Sequence, residues 1–316
     1  MVAGLVVAAS ACSVSTSPGG SSAASGKKDK QVVIGFSEVT QQSPFYVQLK
    51  NGAQQAATKA GAKLMFADAN GDVTKQNNDI QDLITRGVDV LLINPVDPKG
   101  VAPGLAAAKA ANIPVITVDR PVPSGAVSHV GRDNVKMGRL SGERVAKALG
   151  PAGGKIIEIQ GDAGGAVARD RSKGFDQAVA SNPKIKIVKG PYCDYIRSKA
   201  VAAMQDLLQA NPDVKAVYAH NDDMALGALQ VLRENRRTDV KVAGVDGLME
   251  AVKAIAGGQY VATAVNDPIH EGELAVQTAM NEHSGQHVPS YVDAGTALID
   301  PSNAAKYVGS SVFARS

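Results

Sequence analysis

From Gln31 onward the chain repeats one pattern: a short β-branched run, a polar corner, an amphipathic stretch, then another run. The runs are VVIGFSE, KLMFADA, VLLINPV and PVITVDR, then KIIEIQG, IKIVKGP, AVYAHN, VKVAGVD and VATAVN. Between most of them lie helical stretches; in FYVQLKNGAQQAATKAG, Phe45, Leu49, Ala53 and Ala56 fall at helical spacing. Strand, helix and strand recurring about every 25 to 30 residues is the pattern of right-handed βαβ units and parallel sheet. The fold class is α/β. After Arg120 the segment PVPSGAVSHVGRDN interrupts the rhythm with a Pro/Gly-rich turn, a further strand and a helix start at Asn134, and a second series begins at Lys155. That break predicts two doubly wound parallel-sheet lobes, and 316 residues at 44% hydrophobic content suffice for two cores. After Asn266 come a helix, DPIHEGELAVQTAMNEHSG, and PSYVDAGTALID, whose lobe the pattern leaves open.

Open parallel sheets bind ligands beyond the carboxyl ends of their strands, where the loops converge on helix N-termini. The polar residues at those ends are Ser37, Glu38, Asp68, Asn70, Asn94, Asp119, Arg120, Asp162, Asp194, Asn221, Asp222, Asp246 and Asn266. Asp222 is placed to cap the next helix or to share in binding, whereas Asp119 followed by Arg120 is more than a cap requires. Cofactor chemistry finds little support. GFSEVTQQSPF lacks the glycines of a dinucleotide loop, GDAGGAVARDR lacks that spacing and a phosphate-loop lysine, and the five histidines show no metal-ligand spacing. No Gly-x-Ser-x-Gly elbow occurs, so neither an enzyme nor a cofactor or metal is expected. A net charge of +3 without like-charge runs disfavours nucleic acid as a partner.

The same residues suit a sugar. Hydroxyls both donate and accept, so a water-excluding site needs carboxylates, guanidinium and amides, with aromatic rings over the C–H faces. Phe45, Tyr46 and Tyr195 are placed for that purpose on the facing loops. At the N-terminus, MVAGLVVAASAC is an apolar run too short to span a bilayer. It reads as the tail of an export signal, and Ala9-Ser10-Ala11-Cys12 resembles a bacterial lipobox in which Cys12 is acylated. The following SVSTSPGGSSAASGKKDK is the Ser/Gly tether of an anchored domain. Cys193 then has no disulfide partner and reads as a packed hydrophobe.

The stretches SPFYVQLKNGAQ, LLINPVD, ANIPVITVDR, VSHVGRDN, IIEIQGDAGGAVARDRSKGF, NPDVKAVYAHNDDMALGAL and VAGVDG resemble periplasmic sugar-binding proteins of the ribose-binding type, receptors of ABC transporters. The resemblance implies the type I periplasmic binding protein architecture: two lobes joined by a three-stranded hinge crossing near Asp133, Asn266 and Asp293. The lobes are expected over 31–133 plus 267–293 and 134–266 plus 294–316, preceded by the signal and tether at 1–30. It further implies that Phe45 and Tyr46 cover the sugar, that Asp119, Arg120, Arg171, Asn221 and Asp246 hold its hydroxyls, that Tyr195 closes the other face, and that Asn266 contributes between the lobes. Ser43 stands where ribose binders carry a longer amide, Tyr195 replaces Phe, Asn266 replaces Gln, and Val39 replaces a hydroxyl residue. Those departures point from ribose itself toward another monosaccharide, a furanose or an inositol. Glu38 is placed either at the sugar or as a solvent-facing acid on the cleft rim. The implied protein is an exported, monomeric receptor, periplasmic or lipid-anchored through Cys12 on the outer face of the cell membrane, that delivers a monosaccharide or polyol to an ABC transporter permease. A sugar sensor or chemoreceptor ligand protein shares this chemistry. A repressor core of the same fold would need a helix-turn-helix that residues 1–30 do not contain, and an α/β enzyme would need a catalytic pair in the cleft.

Overall fold

A computed structural model describes residues 1–4 and 30–315; Cys12 and the Ser/Gly tether lie outside the described residues. Each of the nine runs named above forms a strand. The first series is β1 (Val33–Glu38), α1 (Pro44–Lys59), β2 (Lys63–Asp68), α2 (Val73–Thr85), β3 (Val90–Ile93), α3 (Ala102–Ala110), β4 (Val115–Val118) and β5 (Ser128–Gly131). The second runs α4 (Asn134–Leu149), β6 (Gly154–Gln160), α5 (Ala166–Val179), β7 (Ile185–Tyr192), α6 (Arg197–Ala210), β8 (Val214–Ala219), α7 (Asp222–Glu234) and β9 (Lys241–Asp246). It ends with α8 (Met249–Ile255), β10 (Tyr260–Val265), α9 (Pro268–His283), β11 (Tyr291–Asp293), β12 (Leu298–Ile299) and α10 (Ala304–Tyr307).

The strands form two sheets, ordered β11-β5-β4-β3-β1-β2 and β12-β10-β9-β8-β6-β7. The two lobes are therefore the same doubly wound unit built twice, with the strand order reversing between β1 and β3 in one and between β6 and β8 in the other. Within them every strand pair is parallel except β10 with β12. The segment PSYVDAGTALID, open from the pattern alone, belongs to both lobes: β11 adds to β5 in parallel and β12 to β10 in antiparallel. Among the described residues the chain passes between lobes three times: after β5, after β10 and between β11 and β12.

Central strands such as β3 and β4 are buried on both faces, which is why their sequences read as unbroken apolar runs without alternation. Two helix pairs pack with their backbones in contact. A Cβ on Gly52 would lie 2.3 Å from the Ile269 carbonyl oxygen, joining α1 to α9, and one on Gly174 would lie 1.9 Å from the Val135 carbonyl oxygen, joining α5 to α4. Gly138 of α4 abuts the backbone of Arg171 itself, so the helix carrying that arginine has one seat. Among the described residues no helix is long and apolar enough to cross a membrane.

Candidate functional site

Seven strand ends and the segments that follow them converge on one tightly closed cavity, lined by Ser43, Phe45, Tyr46, Asp119, Val167, Arg171, Tyr195, Asn221, Asp246 and Asn266. Ser43, Phe45, Tyr46 and Asp119 come from the first sheet's loops and helices, and the other six from the second. Phe45 and Tyr46 lie in the first turn of α1, not on a loop as expected; Pro44 opens that helix, and the turn aims both rings inward. The rings pack edge to face with centroids 5.5 Å apart.

Three lining residues hold left-handed backbone that ordinarily belongs to glycine: Asp119 at φ 62°, Tyr195 at φ 62° and Asp246 at φ 120°. Each such position costs about 1–3 kcal/mol and persists where surrounding structure enforces it, most often at a functional site. The polar groups are highly ordered. Arg171 donates through Nε to Asn134 Oδ1 at 2.9 Å and stands 3.6 Å from Asp246 Oδ1. Asn266 Nδ2 donates to Asp246 Oδ1 at 3.1 Å, and Asn221 Nδ2 to the Tyr195 carbonyl at 3.2 Å. Asn94 Nδ2 lies 3.4 Å from Asp119 Oδ2. Ser43 Oγ, though buried, makes no hydrogen bond within the protein, an arrangement tolerated where a ligand supplies the partner.

Burial raises both acids of the cavity. The Asp119 carboxyl lies above its usual range because desolvation outweighs Arg120, Arg171 and Arg132. Desolvation likewise pushes Asp246 up to about 8, against the pull of Arg171. The folded protein then holds a proton on Asp246 at pH values where the unfolded chain has lost it. Its stabilising contribution is complete below the ordinary carboxylate range and disappears as pH rises to about 8. Urea denaturation from pH 5 to 8 should show wild type losing stability relative to Asp246→Asn by at most about 1.4 kcal/mol per pH unit. Parallel stability curves for the two proteins would refute it.

Some of the remaining candidates sit where the sequence placed them and others do not. Asn221, not Asp222, caps α7, accepting from Met224 N at 3.0 Å. Asp222 points away from the cavity and accepts from Tyr260 Oη, Thr263 Oγ1 and Leu248 N, tying α7 to β10. Arg120 follows Asp119 in sequence but does not line the cavity. Its guanidinium turns to Tyr46 Oη at 2.8 Å and the carbonyls of Pro95 and Val96 at 3.3 and 3.4 Å. Glu38 is fully buried at the end of β1 beside Gln41, so the solvent-facing alternative fails, and it does not line the cavity either. Burial raises its carboxyl well above the usual range. Cys193 is buried behind Tyr195, and burial pushes its thiol up to about 11, far from a nucleophile's range. Arg169 pairs at the surface with Asp170 at 3.1 Å.

Residues that sequence reasoning did not single out also shape the region. Val167 supplies an apolar wall from the first turn of α5. Arg132, fully buried, bonds Glu271, Asn266 Oδ1, the Asp267 carbonyl at 2.7 Å and the Gly295 carbonyl at 2.8 Å. It thereby touches all three crossings between the lobes. Among the described residues no cluster of His, Cys, Asp and Glu is arranged to hold a metal ion.

A family model described as periplasmic binding protein domain matches residues 34–287. The chain is 43% identical to the ribose import binding protein of Escherichia coli K12, over 79% of this chain and 84% of that protein. It is 37% identical to the ribose import binding protein of Bacillus subtilis 168, over 91% of this chain and 93% of the other. Among solved structures, an ABC transporter solute-binding protein from Mycobacterium smegmatis with bound glycerol is 68% identical. It superposes with a TM-score of 0.90 over 91% of this chain and all of that one.

Proposed function

The chain belongs to the periplasmic binding protein family, and we propose that it is an exported receptor that captures a monosaccharide or small polyol between its lobes, closes on it and delivers it to an ABC transporter permease. The observation that carries this reading is a cavity faced from both sheets by acids, amides, one guanidinium and three aromatic rings. Carboxylates accept from hydroxyls, Arg171 donates to them, and the rings of Phe45, Tyr46 and Tyr195 cover C–H faces. A ligand touched from both lobes binds the closed arrangement more tightly than an open one, and that difference in affinity drives closure. The ligand-holding residues of this reading are Ser43, Phe45, Tyr46, Asp119, Arg171, Tyr195, Asn221, Asp246 and Asn266, with Arg120 acting from behind.

The reading is of a carrier and not of an enzyme. The cavity's acids are held by amides and guanidinium, a set that grips hydroxyls without a poised nucleophile, and the relatives named above are binding proteins. The location is exported, with acylation of Cys12 as its anchor in this reading. Thermal unfolding against D-ribose, other pentoses, hexoses, xylitol, glycerol and myo-inositol tests the function. A cognate ligand at 100 times its Kd stabilises the folded protein by about 2.7 kcal/mol, a shift of several degrees. Silence across the whole panel would overturn the assignment to sugars and polyols.

A further inference from the structure

We propose that Asp162 sets the charge class of the ligand: by neutralising Arg120 across the mouth of the cleft, it reserves the site for neutral polyhydroxylated molecules and excludes their carboxylate and phosphate derivatives. The proposal rests on the polyol reading above for its ligand, but the pairing on which it turns is independent of any ligand.

Arg120 stands between the two tyrosine rings of the site, its guanidinium carbon 5.9 Å from the Tyr46 centroid and 5.6 Å from that of Tyr195. Its Nη1 lies 3.7 Å from Asp162 Oδ2, and the two side chains are only 7% and 15% exposed. Asp162 follows β6 and Arg120 follows β4, so the pair joins the lobes. The second carboxylate oxygen of Asp162 accepts from Tyr195 Oη at 2.7 Å, and Arg120 Nη2 donates to Tyr46 Oη at 2.8 Å. Tyr46, Arg120, Asp162 and Tyr195 thus form one polar chain across the cleft. On its outer side a second hollow, lined by Gln42, Asn70, Arg120, Asp162 and Lys199, opens toward solvent.

The stretch GDAGG is built around this chain. A Cβ on Gly161 would lie 2.2 Å from a ring carbon of Tyr195, and one on Gly165 would lie 2.0 Å from the Asp162 carboxylate. These glycines, which fit no phosphate-binding spacing, make room for the tyrosine and the acid.

The charges at the mouth are answered. Lys199 pairs with Asp194 at 2.7 Å, and Arg120 faces Asp162 and, at 3.9 Å, Asp119; Arg171 lies deeper, 3.6 Å from the Asp246 carboxyl. A neutral polyol meets donors and acceptors in balance. At the mouth a sugar acid or phosphate meets no cation that lacks a carboxylate, and finds Asp162 as an unwelcoming neighbour. Discrimination of this kind works through what is withheld from the wrong ligand. Without Asp162, a guanidinium largely removed from solvent loses its closest cross-cleft counter-charge and becomes an anion site.

The test compares wild type, Asp162→Ala, Asp162→Asn and the double variant Arg120→Met/Asp162→Ala, each checked for native circular dichroism. The first probe is inorganic phosphate at constant ionic strength in thermal unfolding without sugar. The second is matched pairs, D-ribose with D-ribonate and glycerol with glycerol 3-phosphate. The expected result is a phosphate-dependent rise in Tm in both single variants, absent from wild type and from the double variant, with the acid members gaining at least tenfold in affinity over wild type. A single variant indifferent to phosphate and to the acids would overturn the proposal even while the neutral sugars bind. Phosphate binding gained in both single variants with no response of wild type to any neutral member would instead uphold the charge role of Asp162 and remove the polyol reading.

Discussion

Replacing Arg132 by alanine should destabilise the protein by about 3–5 kcal/mol, the loss expected when one partner of a buried ion pair is removed. Arg132 and Glu271 are each about 1% exposed, and the same guanidinium also satisfies Asn266 and the carbonyls of Asp267 and Gly295. Those four partners sit on the second and third crossings, while Arg132 itself sits on the first, immediately after β5. The variant leaves a buried carboxyl and two carbonyls without their donor. Burial already pushes Glu271 up to about 7 with Arg132 present, so alone it would take up a proton and still lack a partner. The double variant Arg132→Met/Glu271→Leu should recover most of the loss, because apolar groups of similar volume often replace a buried pair at little cost. Urea midpoints of the three proteins decide it. A single variant within about 1 kcal/mol of wild type would show that the crossings hold together without this side chain.

How far such features are legible in sequence depends on how local their causes are. Strands β1 to β4 and β6 to β10 each follow from a run of apolar and β-branched residues, and in central strands such as β3 and β4 burial on both faces is written into consecutive positions. β11 and β12 have three and two residues, too few for any period, and the antiparallel turn of β12 arises from pairing with β10. The contest between Asn221 and Asp222 for the cap of α7 was settled by tertiary partners: Tyr260 and Thr263 claim Asp222, leaving the cap to its neighbour. Arg120 shares its motif with Asp119, but left-handed backbone at Asp119 sends the two side chains to different places. Arg132 was in plain view within VSHVGRDN, yet its meaning lies in Glu271, 139 positions away, and no local pattern carries that pairing.

The candidate site is tested most severely at Asp119. Asp119→Ala should weaken binding of the best ligand from the thermal panel by about 150- to 25,000-fold. That follows if the carboxylate accepts two ligand hydroxyls at about 1.5–3 kcal/mol each, which sums to roughly 3–6 kcal/mol. The global fold should survive, since the residue's protein contacts are weak: Asn94 at 3.4 Å and Arg120 Nε at 3.9 Å. Alanine adds about 1 kcal/mol of strain at a left-handed position, but it also removes an acid whose ionisation burial opposes, so the two effects oppose each other. Asp119→Asn, which tolerates that backbone, separates charge from shape and should fall between alanine and wild type. Asn221 is the poorer choice despite lining the same cavity, because as the cap of α7 its loss would cost about 0.5–2 kcal/mol of stability and blur the reading. Titration calorimetry on folded Asp119→Ala, with Tm measured alongside, separates the outcomes. Binding within threefold of wild type would remove Asp119 from the site, whereas lost binding with a conserved Tm is the signature of a residue that serves the ligand and not the fold.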